Sequence, residues 1–412
     1  MIAILKREWK SYFQNITGWL FIAAVLALYG LYFLAYNLRA GYPYVSYTLS
    51  AISFIMLIAV PILTMRSMAE ERHSRTDQLV LTAPVSLGKM IFGKFLAMVG
   101  VFTVAVAVIA VTPLVLAAFG TVPMGENYVA VLGFWLYGCT CIAVGMLASA
   151  LTESQVIAAV VAFAFLFLGY MMNSITGLIG DHLITKVLGA YDLYTPLQSF
   201  MSGCLDLTGV VYFVSVTALC LFLTCQCVQK RRWSMTTKKL TTGMFSVAMI
   251  VVGFAVAVAV NMVVKEMPSS WTAVDATSTK LYSLTDTTKD YVKNLSQDVT
   301  IYVLSSEKSA DSTLAETLQR YEDLSKHLNV VYKDPAKSPN FYQQYTDSAP
   351  SQNSMIVVSD ARSRVVDYSD IYEYSYDYST YSSSVDGYDA EGQLTSALQY
   401  VTKADSELPV IY

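Results

Sequence analysis

Seven stretches of about twenty residues, none holding a charged side chain, decide what this chain can become. They are Gly18–Tyr36, Ser46–Met65, Phe95–Ala118, Tyr128–Leu151, Gln155–Ile179, Thr208–Val228 and Thr242–Val264. About twenty apolar residues in a helix span the roughly 30 Å hydrocarbon core of a bilayer. Backbone polar groups in lipid must bond within their own segment, so each run is expected to be a transmembrane helix.

Composition divides the chain at the end of the seventh run. Hydrophobic residues make up 55% of the 412 and charged residues 14%, outside the range of an ordinary soluble protein. Up to Lys265 there are 16 Lys and Arg against 9 Asp and Glu, a net of +7; from Glu266 onward there are 11 against 22, a net of −11, which together give the overall −4. An apolar, basic half joined to a polar, acidic half implies a membrane domain followed by a water-facing one. No nucleic-acid partner is expected. Cys139, Cys141, Cys220, Cys225 and Cys227 lie inside apolar runs and Cys204 just before one, while the acidic half has no cysteine and no disulfide framework. With no His or carboxylate beside them, the C-x-C pairs read as small packing residues, not metal ligands.

The cations give an orientation. Lys6, Arg7 and Lys10 precede the first run; Arg66, Arg72, Arg75, Lys89 and Lys94 join the second to the third; Lys230, Arg231, Arg232, Lys238 and Lys239 join the sixth to the seventh. The alternate connections hold Arg39, then none, then Lys186, and the short fourth-to-fifth link holds only Glu153 and does not inform. The expectation is a multi-pass protein of the cell membrane, with a cytoplasmic N-terminus and the acidic domain extracytoplasmic. Before the first run, Ile2, Leu5, Trp9, Tyr12 and Phe13 share one helical face while Lys6, Arg7 and Lys10 lie elsewhere, the pattern of an amphipathic helix on the membrane surface. A cleaved signal peptide is the competing reading, opposed by the long pre-apolar region and the six crossings that follow.

The connection between the second and third runs holds the candidate functional residues. Glu71, Arg72, Arg75 and Thr76 are followed by Leu79, Leu81 and Pro84, then by a basic piece ending at Gly93-Lys94. This reads either as a short surface helix or as a solvated loop that only fixes orientation. Here the sequence resembles the permease subunits of type-2 ABC exporters. The matching residues are Glu71-Arg72, Thr76, Leu79, Leu81, Thr82, Pro84-Val85 and Gly93-Lys94, with Arg75 standing where that family usually has Gly. The resemblance covers roughly residues 1–235. It implies an interfacial elbow helix over 1–17, a six-helix permease domain over 18–235, and a coupling helix in the 68–84 segment that meets a separate ATP-binding cassette ATPase. It also implies two membrane halves, from a homodimer or a related permease. The run Gly88–Lys94 fits most of a Walker phosphate-binding pattern, but Phe95 replaces the Ser or Thr that would hold magnesium and no strand precedes it. ATP hydrolysis is therefore expected in a separate subunit.

After the seventh helix, assigned to 236–265, the period changes. Ser283 is expected to cap a helix over Leu284–Leu295, with a strand at Val299–Leu304 and a helix at Thr313–Leu328. Strands are expected at Asn329–Tyr332, Met355–Ser359 and Val365–Tyr368, a helix at Glu391–Thr402 and a last strand at Pro409–Tyr412. The fold class is thus an α-helical polytopic membrane domain of six permease helices plus a seventh, followed by a soluble extracytoplasmic α/β domain over 266–412. Leu281–Asp286, Val299–Val303 and Gln393–Leu398 resemble the auxiliary component of gliding-motility-type ABC transporters. That resemblance implies a fusion of permease and auxiliary subunit, C-terminally truncated. The tyrosine-rich run from Tyr368 to Tyr388 reads as a partner- or carbohydrate-binding loop or as a plain solvent-exposed one.

Catalysis finds no support. His73, His182 and His327 fall in three different regions, and no nucleophile elbow, zinc-protease or paired-carboxylate motif occurs; no cofactor is expected. Three functions remain. The first is an export permease moving an unknown substrate outward. The second is a non-transporting scaffold that transmits ATPase strokes to the outer domain. The third is a secondary transporter, opposed by the lack of any carboxylate, Lys, Arg or His within the seven runs.

Overall fold

The computed structural model describes residues 2–74, 86–179, 188–232, 239–267, 272–276, 284–306, 309–377 and 382–403. They form two compact units. One takes in the described residues up to Met267 together with 272–276, the other those from Leu284 onward.

Seven helices among the described residues are long and apolar enough to cross a membrane. The chain opens with α1 (Ile2–Gln14) and turns at Asn15 into α2 (Ile16–Phe33), which runs on through π-helical turns at Leu34–Arg39. α3 (Val45–Thr64) is followed directly by α4 (Arg66–His73). α5 (Leu87–Ile109) gives way to the short α6 (Thr112–Ala117), because Pro113 fits only the first turn of a new helix. Then come α7 (Met124–Leu151), α8 (Gln155–Ile179), the short α9 (Thr195–Met201), α10 (Leu207–Arg232) and α11 (Lys239–Lys265).

The bundle is built around α7. Of its most apolar window 83% is buried, against none of that in α11. Lipid tails drive no hydrophobic association between helices, so close packing must come from small residues and buried hydrogen bonds. α7 supplies both. Its Ala143, Ala148 and Ala150 are fully buried, and Thr140 Oγ1 bonds the Phe213 carbonyl at 3.2 Å and Thr217 Oγ1 at 3.1 Å across on α10. Phe134 and Tyr137, also fully buried, fill the centre against Phe102 and Phe213. At the end of the bundle that holds the α2–α3 turn, Asn127 Oδ1 accepts from Val45 N at 2.6 Å, and Asn37 Oδ1 accepts from Thr48 Oγ1 at 2.8 Å.

The seventh crossing leans on the sixth. Gly253 admits the Phe222 ring, which would lie 3.0 Å from any Cβ placed there, and Asn261 Nδ2 donates to Ser215 Oγ at 2.7 Å. Beyond α11, the three residues of β2 (Ala273–Asp275) pair antiparallel with β1 (Cys204–Asp206), which the sequence reading did not anticipate. Ala276 N extends the pairing to the Gly203 carbonyl at 3.2 Å.

The second unit is an α/β layer. α12 (Asp286–Lys293) precedes β3 (Val299–Val303), α13 (Ser312–Leu324), β4 (Leu328–Tyr332), β5 (Met355–Ser359) and β6 (Ser363–Val366). The sheet order is β4-β3-β5-β6, parallel between β3 and β4 and antiparallel elsewhere. A hairpin of β7 (Tyr372–Asp377) and β8 (Ser382–Tyr388) leads into α14 (Ala390–Thr402). Val299, Ile301 and Val303 alternate into the core, where Leu314, Leu318 and Tyr321 of α13 and Leu394, Ala397 and Leu398 of α14 meet them.

Several expectations for this unit need correcting. The cap of α12 is Thr285, whose hydroxyl accepts from Thr288 N, whereas Ser283 lies outside the described residues, as does the expected strand at 409–412. α13 stops at Leu324, because Ser325 turns extended and Leu328, expected as the last of its stripe, opens β4 instead. His327 lies in that connection, with Nδ1 2.7 Å from Asp298 Oδ1, and not on a helix end. β6 sits two residues earlier than expected. The tyrosine run opens with a 3-10 turn at Tyr368–Asp370 and is strand over Tyr372–Asp377 and Ser382–Tyr388, with a bulge at Glu373/Tyr374, so its described part is mostly hairpin and not a loop.

Asp367 fixes the turn that follows β6. Partial burial pushes its carboxyl up, but donation from Ser369 N and Ser351 Oγ, joined by Ser351 N and Ser369 Oγ, outweighs this and holds the pKa down at about 2. The unfolded value is about 3.9. The group therefore stabilises the fold above about pH 4, and that contribution disappears as the pH falls through the folded value. Asp367→Asn should lower the melting temperature of this unit at pH 6 and converge with the parent only below about pH 2, read by calorimetry on the full-length protein.

Candidate functional site

The break between α3 and α4 leaves backbone groups without helical partners inside the bundle, and their needs define the site. Met65 is itself helical, its N–H on the Pro61 carbonyl at 2.9 Å, but the ladder lapses after it, so the first N–H groups of α4 and the last carbonyls of α3 must bond elsewhere. Ser149 of α7 answers on one side. Its Oγ accepts from Met68 N at 3.1 Å and Ala69 N at 3.0 Å and donates to the Met65 carbonyl at 2.9 Å. Lys94 of α5 answers on the other, its Nζ donating to the Ser67 carbonyl at 3.0 Å.

Lys94 is only 3% exposed. An ammonium withdrawn from water to that degree needs charge partners, because an unpaired buried ion costs several kcal/mol. Glu71 Oε1 lies 2.6 Å from Nζ and Glu8 Oε1 3.7 Å away. Arg7 closes the cluster, 2.6 Å from Glu8 and 3.7 Å from Glu71. Three elements thus meet on one buried cation: α1 through Glu8, α4 through Glu71, and α5, which bears Lys94.

The same end is braced twice more. Arg72 reaches Glu153 at 2.6 Å and the Leu151 carbonyl at 3.3 Å, capping the C-terminus of α7 with a cation. Arg66 forks onto Glu70 at 2.7 and 2.8 Å and touches Thr17 Oγ1 at 3.3 Å. α1 lies against α5 with Ile4, Tyr12 and Phe13 packed on the core, while Ile2 is two-thirds exposed. Its inward face is therefore rotated from the one the apolar spacing suggested, because Glu8 turns toward Lys94. Trp9 lies over Gly100, where the absence of a Cβ leaves room for the indole. Burial, helped by the nearby Glu8, pushes the Tyr12 phenol well up, so it stays a neutral donor.

Of the residues expected to form the coupling segment, Glu71 and Arg72 occupy this junction. Arg75, Thr76, Leu79, Leu81 and Pro84 lie outside the described residues. The junction also recruits residues the sequence reading left without a role. Lys94 had served as an orienting charge, as the end of the Gly93-Lys94 pair in the permease resemblance and as part of a chance Walker match, with no structural role, and the 88–94 run is helical. Glu153 belonged to an uninformative link, and Glu8 and Ser149 went unremarked. Among the described residues no group of three or more His, Cys, Asp or Glu side chains gathers to hold a metal.

A polytopic bundle whose second crossing continues into an ion-paired helix, beside a surface helix before the first crossing, defines a class of membrane domain with a built connection at one end. Residues 39–228 match the family model described as ABC-2 family transporter protein. The match begins at Arg39, after α1 and most of the first crossing. Residues 278–371 match a domain of unknown function, DUF7088, which ends just before β7. No curated protein matches the chain.

Proposed function

We propose that this chain is the permease subunit of an ABC exporter that moves its substrate outward, driven by a separate ATPase docked on the segment around 68–84. The observation that carries this reading is the ABC-2 match together with the Lys94 junction, set where the chain leaves α4 for that segment. A rigid connection there lets a push on the segment reach α1, α5 and α7 together. Leu79 and Leu81 would seat in a groove of the ATPase, with charged residues such as Arg75 at its rim. Truncating an apolar anchor of that kind costs on the order of 2 kcal/mol or more of binding, and a rim charge less. Leu79→Ala with Leu81→Ala should release the ATPase on co-purification while the melting temperature of the membrane protein stays unchanged. Full retention of the ATPase, with unchanged stimulated hydrolysis, would reduce the segment to a spacer.

The cation asymmetry supports a cytoplasmic N-terminus and a C-terminal domain outside. In a cysteine-free background, Ser351→Cys should label from outside intact cells and Ser74→Cys should not. We further propose that two permease halves assemble, as a homodimer or with a related subunit. The C-terminal domain would act as a gliding-motility-type auxiliary component, a reading supported by Leu281–Asp286 and Gln393–Leu398 and by its place after a seventh crossing. The β1–β2 pairing favours a second reading, in which the chain passes ATPase strokes to that domain without moving a substrate. ATP-dependent transport into proteoliposomes separates the two.

A further inference from the structure

A cleft of about 390 Å³ opens beside the junction, between α1, the start of α2 and α4. Its wall holds Arg7, Arg66 and Lys94 together with Glu8, Glu70 and Glu71, three charges of each sign. The wall also holds Ser67, which is 8% exposed and whose Oγ has no hydrogen-bond partner. Buried hydroxyls are almost always hydrogen-bonded, so a partner belongs in the cleft.

Three features select that partner. The cleft lies where the amphipathic α1 turns into the first helix long and apolar enough to cross a membrane, the point at which such a chain would meet lipid headgroups. Beside it the first turns of α2 expose Ile16, Trp19 and Leu20 by 79%, 57% and 57%, an apolar rim of the kind acyl chains cover. The balanced charge disfavours an anion, since each cation already has a carboxylate partner and the three carboxylates would repel it. A zwitterion satisfies both signs at once. Carboxylate oxygens reward a primary ammonium, which donates three hydrogen bonds, over a trimethylammonium, which donates none.

We propose that the cleft binds the phosphoethanolamine headgroup of a membrane phospholipid. Ser67 Oγ donates to a phosphate oxygen beside Arg7. Glu70, whose carboxylate keeps lone pairs beyond those the Arg66 fork engages, takes the ammonium. This assignment stands independently of the ATPase reading.

The test uses full-length protein and native mass spectrometry after exchange into mixed micelles of phosphatidylethanolamine, phosphatidylglycerol and phosphatidylcholine. Retention of phosphatidylethanolamine in preference to the other two is expected. Ser67→Leu, which fills the cleft, and Glu70→Gln, which removes the carboxylate charge, should each weaken retention about tenfold, as loss of one charge-assisted contact does. Glu70 forms only a half-exposed pair with Arg66, so its variant keeps the fold even where the leucine variant does not. Equal retention of all three lipids overturns the proposal, and so does unchanged retention in Glu70→Gln. Complete displacement by free phosphoethanolamine assigns the site to a soluble ligand and overturns the lipid source.

Discussion

Glu71→Gln should destabilise the membrane unit by about 3–5 kcal/mol, the usual cost of removing one partner of a buried ion pair. The substitution keeps the size of the side chain and removes the charge that lies 2.6 Å from Lys94, leaving Glu8 at 3.7 Å as the nearest carboxylate. An ammonium 3% exposed has no water to fall back on. Lys94→Met in the same background should recover most of the loss, because an apolar side chain of similar length needs no partner, although the Ser67 carbonyl then loses its donor. The measurement is a double-mutant cycle on thermal unfolding in detergent. Additive losses from the two single variants would mean that the pair carries no coupling and that Lys94 is held by packing alone.

Gly100→Val has the second-largest expected effect. A Cβ at this position falls on the Trp9 ring, and that ring cannot slide away freely because Phe13 packs against it at a tilt of 41° with centroids 5.0 Å apart. Overpacking of this kind costs about 1–3 kcal/mol. The least costly relief is for α1 to lift from α5, which also carries Glu8 away from Lys94. Trypsin should then cut at Lys6, Arg7 or Lys10 faster than in the parent protein. Gly88→Ala is the control: nothing lies within 4 Å of that site, so cleavage and melting should stay as they were. Unchanged proteolysis in Gly100→Val would show that α1 is not seated through Trp9.

The crossings were legible in the sequence because uncharged length alone decides them, and the resemblance carried by Glu71-Arg72 and the residues after it agrees with the family match over 39–228. The junction was not. Ser149 is one hydroxyl in an apolar run, and nothing in its neighbours announces that it would serve a helix break 80 residues earlier. Lys94 looked like any flanking cation, since charge on a sequence does not say whether it ends in water or beside Glu71. β1 and β2 have three residues each, too few for a period to appear. The tyrosine run did carry a usable pattern. Tyr372, Tyr374 and Tyr376 recur at every second position, which is a strand's period, but the intervening Ser and Asp drew the reading toward a loop.

The place of Lys94 in the chain also sets an order of events during synthesis. Glu8 and Glu71 are both made before it, and neither can reach its ammonium until the third crossing has emerged. Until then α1 and α4 share only the Arg7 contacts, 2.6 Å to Glu8 and 3.7 Å to Glu71. Completion of α5 brings in one side chain that draws both together. The nascent protein therefore passes through a stage in which α1 is held only by contacts that do not involve Lys94, and the arrival of that one side chain completes the junction.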